Sequence, residues 1–237
     1  MLKPRIIFQS KNFLIINKPA GLLVHKSVLN RDDLGRDEDT LVDWLLKNYP
    51  QIKNIGDDIK NRPGIVHRLD RETSGVMIIP LNQDYFDYFK KLFQEHGIQK
   101  TYTALVYGLI RSEKGIINKP IGIKSGTTRR SVHSSKMAKE AITEFEVIKR
   151  LKIKGQDLTL VKVYPKTGRT HQIRVHLASI HCPVVGDKLY GRKKGIFEDL
   201  ERQFLHASEI EFKDKKGKLL KFKAALPKNL DSFLKSV

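Results

Sequence analysis

The stretch PGIVHRLDRETSGVMIIP, residues 63–80, sets a polar string, HRLDRETSG, between the apolar pair Ile65 and Val66 and the apolar run Val76 to Ile79. Apolar runs of this length, rich in β-branched residues, read as buried strand-like segments. Asp70 therefore lies on a short connection anchored at both ends, which fixes a carboxylate against a rigid scaffold. The residues alone leave two readings open. Asp70 can cap a turn, with Thr73 and Ser74 satisfying local backbone groups, or it can be a catalytic carboxylate.

Outward from this stretch, further runs read as strands: Phe13 to Asn17, Gly75 to Pro80, Thr101 to Gly108, Ala141 to Arg150, Leu158 to Tyr164 and Glu209 to Phe212. Lys215, Lys216 and Gly217 mark a C-terminal hairpin. Leu41, Trp44 and Leu45 recur at helical spacing, with Asp39 available as a cap. Gln83 to His96 reads as a second helix, with Phe86, Phe89 and Phe93 on one face, Asn82 as cap and Gly97 as stop. Thr167 to Ala178 starts as a loop and continues as a helix capped by Thr170, with Ile173, Leu177 and Ile180 as its buried stripe and Arg174 beside it. Regular alternation of strand and helix is missing, so the expected fold is α+β: a mixed, largely antiparallel sheet flanked by helices and loops. The expected organisation is a single domain over 1–237, and the charged run Lys26 to Asp39 reads as an exposed loop.

Composition narrows the partners. Of the 237 residues, 45 are Lys or Arg and 26 are Asp or Glu, a formal net charge of +19 that attracts a polyanion. The single cysteine, Cys182, excludes an internal disulfide framework, fits a reducing cytoplasmic compartment and reads as a packing residue. The apolar run Phe13 to Ile16 is too short for a signal core or a membrane span. His171, His176 and His181 stand five apart, which turns them away from a common helix face, so no metal site is expected.

HRLDRETSG resembles the HRLDxxTSG signature of the RluA family of RNA pseudouridine synthases. Lys18-Pro-Ala-Gly-Leu-Leu-Val-His25 is similar to that family's KPxGxxVH segment, and Lys100-Thr-Tyr-Thr-Ala-Leu-Val-Tyr-Gly108 resembles its KxYxAxVxG strand. Thr167 to Ala178, Gly186-Asp-Lys-Leu-Tyr-Gly191 and Arg202-Gln-Phe-Leu-His-Ala207 resemble three further family segments in the family's order. The likeness runs from about Lys18 to Pro227. It implies the pseudouridine synthase fold, with a catalytic cleft across the sheet.

The resemblance makes Asp70 the catalytic aspartate of a cofactor-free isomerisation of uridine. It makes Tyr102 the residue that stacks on the target base and a candidate acceptor for the C5 proton, and Arg174 the arginine that pairs with Asp70. Arg68, Arg169, His171 and Lys193 are the candidate RNA contacts. The expected partner is a structured RNA, transfer or ribosomal, with no membrane and no obligate protein partner, and a monomer in the cytoplasm. Many members begin with a small extra S4-type RNA-binding domain, whereas this chain enters its first family segment by Lys18 and is expected to lack one. Charge alone serves a competing class equally, a basic RNA-binding or assembly module without catalysis; nucleoside hydrolysis would want a second carboxylate facing the bond.

The charge excess makes a direct prediction. RNA affinity should fall steeply with salt, by about 0.7 to 0.9 logarithmic units per neutralised phosphate. Binding titrations at several salt concentrations read that slope, and a flat response would remove the phosphate backbone as the main source of affinity.

Overall fold

The strand that follows Asp70 is buried at every position, Ser74–Pro80. That pattern answers its near-continuous apolar sequence, since a strand covered on both faces has no use for alternation. The computed structural model describes residues 2–26, 39–127, 129–191, 197 and 200–235. Strands β1 to β11 are Arg5–Gln9, Phe13–Lys18, Ser74–Pro80, Ile98–Tyr107, Lys114–Asn118, Gly122–Ile123, Arg130–Ser131, Ile142–Ile153, Gln156–Pro165, Leu205–Lys213 and Leu219–Lys223. Helices α1 to α4 are Leu41–Asn48, Gln83–Gln94, Gln172–Ser179 and Lys228–Lys235. The fold is α+β with a mostly antiparallel sheet and few helices, as the sequence implied.

The chain divides into two compact units, Met1–Ile98 with Glu209–Ala225, and Gln99–Ser208 with Leu226–Val237. In the first unit β2 pairs antiparallel with β1 on one side and β3 on the other, Phe13 opposite Pro80 and Lys18 opposite Gly75. β10 and β11 close the expected C-terminal hairpin, where Gly217 takes φ 81 in the turn. Helix α2 lays Phe89 on this sheet edge-on to Phe13 and Phe212, at centroid distances of 5.4 and 5.3 Å.

In the second unit β9 pairs with β4 and with β8, and β5 pairs with β8, all antiparallel. The β8 to β9 turn is Lys154-Gly155, with φ 48 and 77. Two successive positive values suit the right-handed twist of a two-residue hairpin. Behind this sheet Leu105, Leu158, Val161, Val163, Leu177 and Cys182 share one apolar cluster, so Cys182 is a packing residue. Among the described residues no helix is long and apolar enough to cross a membrane.

Two helix starts differ from expectation. Helix α1 is capped by Thr40 and not by Asp39: the Asp43 N–H donates to the Thr40 hydroxyl, and the Thr40 N–H donates to the Asp43 carboxylate. The N–H groups of Leu41 and Val42 donate to the Leu23 and Val24 carbonyls, so the first turn leaves no donor open. Helix α3 begins at Gln172, after His171 in the left-handed region, and Thr170 caps nothing. At the end of α2 the left-handed residue is His96, and the Gly97 N–H bonds the Leu92 carbonyl.

Thr40→Ala should destabilise the fold by about 1 to 2 kcal/mol, while Asp39→Ala should change little. Urea unfolding of the two variants distinguishes the caps; equal losses would return the role to Asp39.

Candidate active site

In the first unit the Asp70 loop is held from beneath. Leu69 is buried and Arg68 exposed, and the Thr73 N–H closes the turn that follows onto the Asp70 carbonyl at 3.1 Å. Lys18, at the end of β2, is fully buried, and its Nζ donates to the carbonyls of Pro19, Leu22 and Arg71 at 2.9, 2.8 and 3.0 Å. The Arg71 carbonyl also accepts from the Gly21 N–H at 2.9 Å, and Arg71 Nε returns a bond to the Gly21 carbonyl. A buried ammonium persists only where its donors are used, and here three carbonyl dipoles use them. The residue after Asp70 is thus fixed by a cation from a strand 53 positions away in sequence.

Arg68 reaches His25, its Nη1 donating to Nε2 at 3.2 Å, while His25 Nδ1 donates to the Lys26 carbonyl. Burial, and after it the Arg68 guanidinium, lowers the His25 pKa against the opposing pull of that carbonyl, which suits a neutral ring accepting from an arginine. His67 accepts the Ile78 N–H through Nε2, and its ring meets that of Phe93 at a tilt with centroids 4.7 Å apart.

In the second unit Tyr102 is half-buried on β4 opposite Val163, with its ring against the central cluster. Two residues earlier, burial lowers the Lys100 pKa to about 8. Its Nζ lies 3.4 Å from the Thr167 carbonyl. The loop before α3 is shaped by buried Gln172, whose Oε1 accepts from the Thr167 hydroxyl and the Arg169 N–H and whose Nε2 donates to the Ile142 carbonyl and the Thr143 hydroxyl. This one side chain keeps Thr167 to Thr170 out of the helix and leaves Arg169 exposed, its Nε on the Glu140 carbonyl.

Arg174 is only 5% exposed. Its Nε and Nη2 donate to Asp187 Oδ2 and Oδ1 at 2.7 and 2.9 Å, the planar bidentate contact that a guanidinium makes best. Asp187 Oδ1 also accepts the N–H groups of Leu189 and Tyr190. Burial by itself would raise the Asp187 pKa, but Arg174 and these two N–H groups outweigh it and hold the carboxyl below its usual value.

The structure brings His171 and Arg174 together on the ring of Tyr190, the first through its Nδ1 at 3.0 Å from the hydroxyl and the second with Cζ 5.2 Å from the centroid. Asp70 and Arg68 belong to the first unit, and Lys193 lies outside the described residues, as does most of the expected loop from Lys26 to Asp39. His176 is committed to the core, with ring nitrogens on the Thr143 hydroxyl and the Lys119 carbonyl. Sequence reasoning named neither Lys18 nor Asp187 as functional. A lone cation closing an apolar strand was the available signal for Lys18; for Asp187 it was the carboxylate of the Gly186 to Gly191 segment.

Residues 12–179 match the family described as RNA pseudouridylate synthase, a span that contains Asp70, Tyr102 and Arg174. The chain belongs to this family, a class of isomerases that convert uridine to pseudouridine in RNA. It is 43% identical over 188 residues to an uncharacterised RNA pseudouridine synthase of Aquifex aeolicus, covering 79% of this chain and 56% of that relative. A ribosomal large subunit pseudouridine synthase D of Borreliella burgdorferi is 34% identical, with 97% of this chain and 67% of the relative covered. Among solved structures, human RNA pseudouridylate synthase domain containing 1 superposes with a TM-score of 0.72 at 25% identity, covering 99% of this chain and 94% of that one.

Asp187→Asn should destabilise the fold by about 3 to 5 kcal/mol at neutral pH, because it strips a buried guanidinium of its bidentate carboxylate. The Asp187 pKa is depressed in the folded state, so its contribution is present above the unfolded value and lost as pH falls through the folded one. The gap between wild type and variant should therefore narrow below about pH 4. Denaturant unfolding across pH checks this; a constant gap would show that the pair adds no charge-dependent stability.

Proposed function

We propose that this protein isomerises uridine to pseudouridine in a structured RNA, with Asp70 as the catalytic carboxylate, Tyr102 stacked on the target base and Arg174 paired with Asp70. The observation that carries the reading is the setting of Asp70: a carboxylate inside HRLDRETSG, on a turn whose next carbonyl is clamped by the buried Lys18 ammonium. In the reaction the bond from the ribose to N1 breaks, the base turns while held, C5 bonds to C1′, and the C5 proton passes to N1 through a protein base or solvent. Asp70 serves as nucleophile toward base or sugar, or deprotonates the intermediate. One carboxylate suffices, and no net redox change occurs, so the scheme calls for no cofactor or metal.

Arg174 suits its role because a guanidinium keeps its charge when desolvated and favours the ionised form of a nearby carboxylate. Asp187 holds one edge of the guanidinium through two of its nitrogens. The target uridine is turned out of its stack so that Asp70 can reach it. Arg68, Arg169, His171 and Lys193 supply RNA contacts, and the exposed cations Lys124 and Arg129 add to them. The name carried by the Borreliella relative favours large-subunit ribosomal RNA over transfer RNA as substrate. A cytoplasmic monomer completes the proposal.

The decisive experiment pairs two variants on RNA from cells lacking the gene, with pseudouridine mapped before and after incubation. Asp70→Asn should abolish product while RNA affinity stays within about tenfold, roughly 1.4 kcal/mol. Arg174→Ala, where folded, should slow single-turnover isomerisation at saturating enzyme by at least about a hundredfold with an unchanged salt slope. Turnover by Asp70→Asn would leave a basic binding module as the better description.

A further inference from the structure

Arg174 is gripped on an edge and on a face by residues three apart in the chain. Asp187 holds the edge, and the Tyr190 ring lies 5.2 Å from Cζ. A bidentate pair still allows the guanidinium to rock about the axis joining it to the carboxylate, and an aromatic face against it opposes that motion. The face is only as steady as the ring, which has its own anchors at the far end. The Tyr190 hydroxyl accepts the Arg130 N–H at 2.9 Å and lies 3.0 Å from His171 Nδ1, with the two rings meeting edge-on at 5.6 Å. Its oxygen already accepts from Arg130, so its proton can go to His171.

The turn that carries both groups has little freedom. The Gly191 N–H bonds the Asp187 carbonyl at 3.0 Å, and a Cβ at Gly191 would strike that same carbonyl. Gly186 takes φ 75, and a Cβ there would strike the Arg202 carbonyl. Arg130 belongs to the β6 and β7 hairpin, whose connecting residues present Lys124 and Arg129 to solvent. The hydroxyl of Tyr190 is therefore bonded to the backbone of a basic hairpin, while its ring supports Arg174.

We propose that Tyr190 is a positioning residue of the isomerisation, steadying Arg174 through a ring that its hydroxyl ties to the basic β6 and β7 hairpin. The proposal rests on the reading that Arg174 serves catalysis. RNA phosphate drawn to Lys124 and Arg129 bears on the strand whose Arg130 N–H holds the hydroxyl, so RNA engagement and arginine orientation share one side chain. Phenylalanine keeps the ring and removes the tie, which separates this role from simple packing.

The test has an arm without RNA and an arm with it. In the free protein, exchange of the Arg174 Nε–H with solvent is followed by NMR for wild type, Tyr190→Phe, His171→Asn and the double variant. Asparagine tolerates the left-handed backbone at 171, so His171→Asn stays available should Tyr190→Phe fold poorly. Tyr190→Phe should speed exchange by at least about tenfold, His171→Asn by less, and the double variant no more than Tyr190→Phe alone, because both act through one hydroxyl. On an unmodified large-subunit ribosomal RNA transcript, Tyr190→Phe should lower the single-turnover rate at saturating enzyme by at least about fivefold while the Kd moves less than about threefold. Wild-type exchange in Tyr190→Phe, additive effects in the double variant, or an unchanged rate would each overturn the proposal. An active Asp70→Asn control would sink the catalytic reading instead, and the exchange arm would still decide whether Tyr190 steadies Arg174.

Discussion

A guanidinium removed from water keeps its place in a fold only if its donors and its charge are both answered, and Arg174 is answered by Asp187 through two parallel hydrogen bonds. That requirement organises much of the second unit. The carboxylate must be brought in on a turn tight enough for its own Oδ1 to accept two backbone N–H groups, which Gly186 and Gly191 permit. The helix bearing the arginine must begin at Gln172, because that side chain is spent holding the preceding loop and bracing β8. Apolar packing of Ile173 and Leu177 beneath the helix then settles which way Arg174 faces.

The first unit meets the same constraint with a buried ammonium and backbone carbonyls. Lys18 is held by three carbonyl oxygens, and the Arg71 carbonyl among them belongs to the residue after Asp70. Such a clamp gives a surface turn the rigidity of the strands around it. It also places the Lys18 side chain beneath the backbone of a loop that carries a carboxylate. Family membership and this setting are compatible: the family match spans the segment, and the clamp explains how a polar loop between apolar strands holds a single geometry.

Elements with strong internal pattern were legible. The all-buried β3 and the aromatic stripe of α2 stood out because their apolar content exceeds what an exposed segment carries. Edge strands escaped notice for the opposite reason. β1 and β5 are mostly exposed, so their alternation is weak and neighbouring strands supply the order. Helix α4 was missed although Leu230, Phe233 and Leu234 recur at helical spacing just after Pro227. The expected caps Asp39 and Thr170 were reasonable by residue type, and each lost to a neighbour whose backbone geometry was set by something else.

The sequence by itself determined the α+β class, the strand that supports Asp70, the basic surface and the segments that place the chain among pseudouridine synthases. Those features are local, or are carried by motifs whose order along the chain is their meaning. Only the tertiary structure decided that Lys18 clamps the Asp70 turn, that Asp187 is the bidentate partner of Arg174, and that Tyr190 joins Arg174, His171 and the Arg130 backbone. A buried charge chooses its partner by distance and angle in three dimensions. Separations of 53 and 13 positions carry no periodicity from which such a choice could be read.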